Sequence, residues 1–393
     1  MKVAIISLGH YGSTMPLARH LAMKGCDVDY YIYCNHRVRS IEGIEIHHKK
    51  WQFGTCQLKG DNIPKHNDYF NISSLRVYLT STRNVLGKVV GYFRDLNHSI
   101  AHRRFTQRLR KKDYDIINIV CRYNSDIADN LISSLPVEKL IVSLHEVVNH
   151  SSPDYQHPSS LMKNLFEQNI HIIVHSQNVY KSIKNYSSCV VNRLSIIPFG
   201  VFETYKLIDE DISLELPLKY ILVLGYISPY KGIDILYDAV NKIDLSDYRV
   251  IISCSGKVPV IDKIVDDPRY LYIPGYLTNE RIVRLIKHSN FIICPYLSMS
   301  QSGIPQTAFV FNKAILASDL QGFKEIIKDG FNGYLVEKGN AEELAHSIAW
   351  LIDHPDVIKR TENNIEVFKK ESELYSWEQI VNKYIELFKS KLS

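Results

Sequence analysis

NFIICPYLSMSQSGIPQTAFVFNKAILASDLQGFKEIIKDGFNGYLV, residues 290–336, reads as strand, glycine-containing turn, helix, strand, turn and strand. The run FIIC (291–294) has the length and unbroken hydrophobicity of a strand buried on both faces. Gln301-Ser302-Gly303 follow it, and Pro305, whose fixed φ suits a first helical turn, belongs to a helix reaching about Phe311. A helix starting there directs its unpaired N–H groups and its dipole past the strand's carboxyl end, where α/β proteins hold phosphates. The same unit also occurs as plain scaffold in doubly wound sheets, so the stretch speaks for fold class before function.

Outward from it the pattern repeats. Residues 2–7, 28–33, 115–120, 140–146, 171–175 and 195–199 are short β-branched or aromatic runs, with helical segments such as 13–23, 125–135 and 158–168 between them. After the polar segment 203–216 the alternation restarts with strands at 220–225, 249–256, 270–275, 291–296, 314–318 and 333–336 and helices at 232–243, 278–288 and 303–311. Strand and helix in alternation imply two parallel, doubly wound, Rossmann-like sheets joined near 202–218. Helices at 341–353 and 376–392 close the chain, and residues 50–80 read as a long loop or short insertion.

Composition bounds the rest. At 393 residues, 45% hydrophobic and 23% charged, the chain suits two globular domains. No apolar run approaches the ~18 residues of a membrane span, and MKVAIISLGHYG reads as a first strand, not a signal peptide. Seven scattered cysteines without a Cys-x-x-Cys pair fit buried thiols in a reducing, cytoplasmic compartment, and no metal is expected. Residues 1–200 carry 25 Lys and Arg against 15 Asp and Glu, whereas residues 201–393 carry 22 against 27. The basic half suits an anionic partner. Its helix HSIAHRRFTQRLRKKDYD (98–115) rings an Ala101, Phe105, Leu109 stripe with Arg103, Arg104, Arg108 and Arg110, which fits either a solvated face or an anionic membrane surface. No nucleic-acid motif accompanies the charge.

Two turns could carry chemistry. Gly9-His10-Tyr11-Gly12-Ser13 links the first strand to the first helix without a Gly-x-Gly-x-x-Gly fingerprint, and no acid ends the second strand beyond Asp27 and Asp29 at its start, which argues against a nicotinamide cofactor. LVLGYISPYKGIDIL (222–236) has Gly225 ending a strand and Lys231 in a Pro-Tyr turn, where an ammonium would oppose a leaving phosphate. A solvent-exposed turn lysine is the alternative.

GYISPYKGIDIL, PGYLTNERI (274–282), CPYLSMSQSGIP (294–305), KAILASDLQGFKEIIKDGFNGYLV (313–336) and IIPFGV (196–201), with LHE (144–146) and VHSQ (174–177) matching more loosely, resemble the retaining family-4 glycosyltransferases of the GT-B fold. The resemblance implies an α/β GT-B protein with two Rossmann-like domains facing each other across a cleft: 1–204 for the acceptor, 205–370 for the nucleotide sugar, and a helix at 371–393 crossing back. It implies sugar transfer with retention from a nucleotide-diphosphate donor to a hydroxyl, with no metal or other cofactor implied, in cell-surface polysaccharide synthesis on a glycan or lipid-linked acceptor, cytoplasmic or peripheral at the membrane. It makes Lys231 the diphosphate lysine and His145 the histidine near the transferred sugar. Gly12, Ser13, Gly225, Ser300, Gln301, Ser302, Gly303, Ile304, Thr307 and Glu325 complete the expected donor set.

The chain departs from the family at three points. The two usual glutamates are absent, Met299-Ser300 and Thr307-Ala308 standing at their positions, and Tyr226 replaces the common arginine. A Ser-Gln-Ser-Gly version of the junction, as here, occurs in part of the family. The alternatives are a degenerate, non-catalytic binding subunit and a nucleotide-sugar epimerase of the same fold. Glu325 follows a glycine turn, where placing an acid at a helix start would equally explain it.

Overall fold

Each β-branched run finds a parallel neighbour. The computed structural model describes residues 1–35, 40–41, 44–45, 54–57, 69, 72–82, 91–122, 125–145, 159–256, 258–299 and 302–393. Its contacts divide into two units, Met1–Phe199 with Trp377–Ser393, and Gly200–Ser376. The breaks thus fall at 199/200 and 376/377, against 204/205 and 370/371 in the sequence reading.

The first unit carries β1 (Lys2–Ser7), β2 (Asp27–Asn35), a small ribbon of β3 (Ser40–Ile41) and β4 (Ile44–Glu45), β5 (Gly54–Gln57), β6 (Leu75–Thr82), β7 (Ile116–Cys121), β8 (Leu140–Leu144), β9 (His171–Val174) and β10 (Leu194–Ile196). Its sheet runs β10-β9-β8-β7-β1-β2-β6-β5, parallel except for the β5–β6 edge pair. Strand order reverses at β1, whose neighbours are β7 and β2, so the crevice of this unit opens beyond the carboxyl ends of β1 and β7. Helices α1 (Tyr11–Met23), α2 (Gly91–Lys111), α3 (Asp126–Ile132), α4 (Ser160–Glu167) and α5 (Gln177–Tyr186) connect the strands. Ser159 and Ser176 cap α4 and α5 through their hydroxyls.

Two elements in the stretch read as a loop are strands. Leu75, Val77 and Leu79 of β6 are buried, and the strand pairs with β2 over eight residues. Its charged Arg76 masks the apolar pattern, yet that charge is what the site requires. Arg76 pairs with Asp27 and with Asp29, a fully buried carboxylate that also accepts from Lys112 and Tyr114. Burial pushes the Asp29 carboxyl up, and the bonds from Lys112, Tyr114 and Arg76 outweigh that to hold it below its ordinary value. Asp27 and Asp29 are thus consumed at the amino end of β2, away from the strand ends where ligands bind.

The second unit carries β11 (Tyr220–Ile227), β12 (Arg249–Gly256), β13 (Tyr270–Pro274), β14 (Phe291–Cys294), β15 (Ile315–Ser318) and β16 (Tyr334–Val336), ordered β13-β12-β11-β14-β15-β16 and parallel throughout. Between them lie α6 (Ile233–Val240), α7 (Ile261–Val265), α8 (Asn279–His288), α9 (Ile304–Val310) and α10 (Gln321–Lys324), followed by α11 (Ala341–Asp353) and α12 (Pro355–Glu371). The terminal helix α13 (Trp377–Leu392) packs on α1 in the first unit. Strand order reverses between β11 and β14, which places this unit's crevice at their carboxyl ends. β11 runs two residues past Gly225, which takes φ 116° inside the strand instead of ending it. Among the described residues no helix is long and apolar enough to cross a membrane, and Cys26, Cys121 and Cys294 are buried free thiols.

Candidate functional site

In the second unit two loops meet at the strand-order reversal. After β11, Pro229–Lys231 form a single 3₁₀ turn closed by the Lys231 amide on the Ser228 carbonyl (2.9 Å), and Gly232 follows at φ 64°. A β-carbon on Gly232 would lie 1.9 Å from the Pro295 carbonyl oxygen, so only glycine lets this turn approach the loop after β14. The Leu297 amide donates to the Tyr230 carbonyl (2.7 Å) and fixes the two loops together.

This contact puts Lys231 Nζ 3.7 Å from the ring centre of Tyr296 and 5.3 Å from that of Tyr230. Tyr296 is buried and packs on Phe323. Among the described residues no carboxylate lies within ion-pair reach of Lys231. Burial brings its ammonium down to about 8, with the Cys294 sulfur opposing slightly. At neutral pH Lys231 is a charged, largely desolvated cation whose partners are two aromatic rings, the environment a diphosphate would complete.

The neighbouring junction is more self-contained than its composition implied. Ser302 Oγ accepts from the Ile304 amide (3.2 Å), and Gly303, at the start of α9, leans on the Phe202 ring. Thr307 is buried and donates to the Gly303 carbonyl (2.9 Å), a bond within its own helix. Met299 is buried beneath Gly322, whose β-carbon would meet its methyl at 3.0 Å. Met299 and Thr307 are thus both taken up by packing. Glu325 closes the carboxyl end of α10, so a helix-start dipole does not account for it. Ser300 and Gln301 lie outside the described residues.

The first unit gathers imidazoles at its own reversal. His10 leaves β1, His145 leaves β8 and His175 leaves β9. The His10 and His145 rings stack with centroids 3.5 Å apart at 12°, Phe199 stacks on His145 at 4.4 Å and on His175 at 3.9 Å, and His175 is tilted against His145 at 4.9 Å. His175 Nδ1 donates to the Ile197 carbonyl (2.7 Å), which leaves its Nε2 as the acceptor. The Nε2 atoms of all three are buried and have no hydrogen-bond partner among the described residues. Burial holds His145 well below the ordinary histidine value, with His10, His175 and Arg122 adding to it. Burial likewise brings His175 to about 4 and, with Arg122 and His175, His10 to about 3. At neutral pH the column is uncharged. Gly12 and Ser13 lie in the first turn of α1, and Ser13 Oγ donates back to the His10 carbonyl (3.0 Å).

Sequence reasoning thus picked out His145 and Lys231, and it missed His10, His175, Phe199 and Tyr296. The signal for the histidines is positional, since His145 and His175 directly follow strands of one sheet and His10 lies three residues beyond another. The basic helix is also partly spent. Phe105 and Leu109 are buried, Arg108 covers the Tyr78 ring and Arg110 donates to the Ser134 carbonyl, while Arg103 and Arg104 stay exposed.

Residues 218–354 match the family described as glycosyl transferases group 1, and residues 128–199 match the type II intron maturase family. An uncharacterised glycosyltransferase of Methanocaldococcus jannaschii is 28% identical over 163 residues, 41% of this chain and 45% of that protein. The poly(ribitol-phosphate) alpha-N-acetylglucosaminyltransferase of Staphylococcus aureus is 27% identical over 176 residues, 41% of this chain and 35% of its own length. The chain spans less than half the length of these relatives. Among solved structures, the sucrose-phosphate synthase of Thermosynechococcus elongatus is similar at TM-score 0.66 and 15% identity, covering 99% of this chain and 98% of that one. Anabaena HepE, solved in complex with UDP and glucose, gives 0.60 at 15% identity, covering 99% of each. The chain has the GT-B fold, and its residues 218–354 match the glycosyl transferases group 1 family.

Proposed function

We propose that the protein is a retaining glycosyltransferase that moves a sugar from a nucleotide-diphosphate donor to a hydroxyl acceptor without a metal. The observation that carries this is Lys231, a half-buried ammonium without a carboxylate partner among the described residues, held at the β11–β14 strand-order reversal by the Gly232 and Pro295 contact. Such a cation is poised for the charge that grows on a departing diphosphate. As the anomeric bond ionises, the diphosphate oxygen takes the bonding electrons and Lys231 opposes its charge. The incoming hydroxyl then attacks from the same face and gives its proton to that phosphate oxygen. His145 meets the sugar as an uncharged imidazole. Gly225, Ser302, Gly303, Ile304 and Glu325 of the second unit shape the donor site, in place of the missing glutamates and arginine.

The likeness to the Staphylococcus aureus poly(ribitol-phosphate) enzyme supports a polymer acceptor in cell-surface polysaccharide synthesis. Exposed Arg103 and Arg104 support approach to a cytoplasmic, anionic membrane face where a lipid-linked acceptor would lie. The test is turnover of UDP-, GDP- and ADP-sugars with and without glycan acceptors in EDTA, with the anomeric configuration of the product read by NMR. Transfer with retention from one donor class supports the reading, and absence of turnover with all three refutes it.

A further inference from the structure

His10 occupies a backbone conformation uncommon outside glycine, which histidine enters more readily than most residues. It lies at φ 59°, ψ 42°, the left-handed region that glycine adopts freely and β-carbon-bearing residues avoid. Four donors hold it there. The amides of Ser13 and Thr14 reach its carbonyl oxygen at 3.2 Å each, and their hydroxyls reach it at 3.0 and 3.1 Å. Thr14 Oγ1 is tied in turn to Ser7 Oγ (2.8 Å) and to the Tyr30 hydroxyl (2.9 Å), which anchors the turn to β1 and β2. A strained residue so heavily constrained points to a position kept for its side chain.

Among the described residues hydrogen bonding does not explain that side chain, because His10 Nε2 is buried and finds no partner there. The ring contact does. His10 lies face to face with His145 at 3.5 Å, while Phe199 stacks on the same imidazole at 4.4 Å. We propose that His10 is a positioning residue: its ring fixes the plane in which His145 is presented at the carboxyl edge of the first sheet. The left-handed turn is what carries a ring from the end of β1 to one leaving β8. The proposal deepens the reading of His145 as the sugar-facing group and rests on it.

The stack also requires both rings to be uncharged, since two imidazolium rings at that spacing would repel. Burial supplies this condition for both. Any substitution that removes the ring frees His145 to rotate and admits water to it.

The test uses His10→Gly, His10→Asn and His10→Phe in the full chain. Glycine and asparagine accept the left-handed turn, so the thermal midpoint should be unchanged or raised. The transfer rate should fall roughly 10- to 100-fold, with donor KM little changed. Phenylalanine keeps the stack and should recover most of the rate. Independently of activity, the ¹³Cε1 resonance of His145 should move and titrate at higher pH in His10→Gly. An unmoved resonance with an unchanged rate overturns the proposal. So does a loss of rate in both His10→Gly and His10→Asn that merely follows a lowered midpoint, or His10→Phe as slow as His10→Gly. If the wild type transfers no sugar, the functional reading falls and the His145 resonance alone decides the positioning.

Discussion

Replacing Lys231 by methionine should make the protein more stable and worse at binding nucleotide at the same time. Burial moves the ammonium from its ordinary 10.5 to about 8. A displacement of that size corresponds to roughly 3 kcal/mol held against the charged form. Contact with the Tyr296 ring at 3.7 Å returns about 1–2 kcal/mol of this. Methionine keeps the packing volume and removes the charge, so a net gain of about 1–2 kcal/mol is expected at pH 7, or roughly 3–6 °C for a unit of this size. The sign with pH follows from the lowered value. The destabilisation is complete below about 8 and disappears as pH rises toward 10.5, where the unfolded chain also loses its proton, so wild-type stability should climb across that window and the variant's climb should be smaller. Binding should move the other way. A charge pair at about 4 Å and an effective dielectric near 20 is worth about 4 kcal/mol, which competition from water reduces to a loss of about 10- to 100-fold in nucleoside diphosphate affinity. Thermal denaturation at pH 7 and pH 10 with calorimetric titration reads both effects. A variant less stable than wild type, or one that binds as well, would refute the assignment of Lys231 as an uncompensated cation kept for an anion.

Three further outcomes follow. Gly232→Ala places a β-carbon 1.9 Å from the Pro295 carbonyl in a left-handed turn, so denaturant unfolding should show at least about 2 kcal/mol lost. Asp29→Ala leaves Arg76 and Lys112 without their shared buried carboxylate and should cost about 3–5 kcal/mol, visible as loss of soluble protein or a much lower denaturation midpoint. Arg103→Ala with Arg104→Ala should weaken co-sedimentation with anionic vesicles in a salt-sensitive manner, whereas Arg108→Ala should lower stability instead, because that guanidinium covers Tyr78.

Where the sequence was legible, the cause was local. FIIC (291–294), YILVL (220–224) and VIIS (250–253) are buried on both faces, and unbroken hydrophobicity marks such strands directly. β6 escaped because Arg76 interrupts it, and only the fold reveals that the interruption answers Asp27 and Asp29 on the adjacent strand. Lys231 was legible because a glycine and a proline frame its turn at a strand end. Tyr296 was not, since the cation contact joins loops 65 positions apart, and the imidazole column draws on residues 10, 145, 175 and 199, which meet only once the sheet has formed. Ser13 and Thr307 show the reverse: small polar residues in the expected places whose hydroxyls bond backbone carbonyls of their own segments.

The most direct test of the central claim is a titration of the full chain, ¹⁵N-labelled at lysine side chains, with UDP, GDP and ADP at pH 7. One nucleoside diphosphate should bind with one-to-one stoichiometry, shift the Lys231 ammonium resonance and raise its titration midpoint above about 8. Binding that leaves that resonance in place, or no binding by any of the three, would contradict the account.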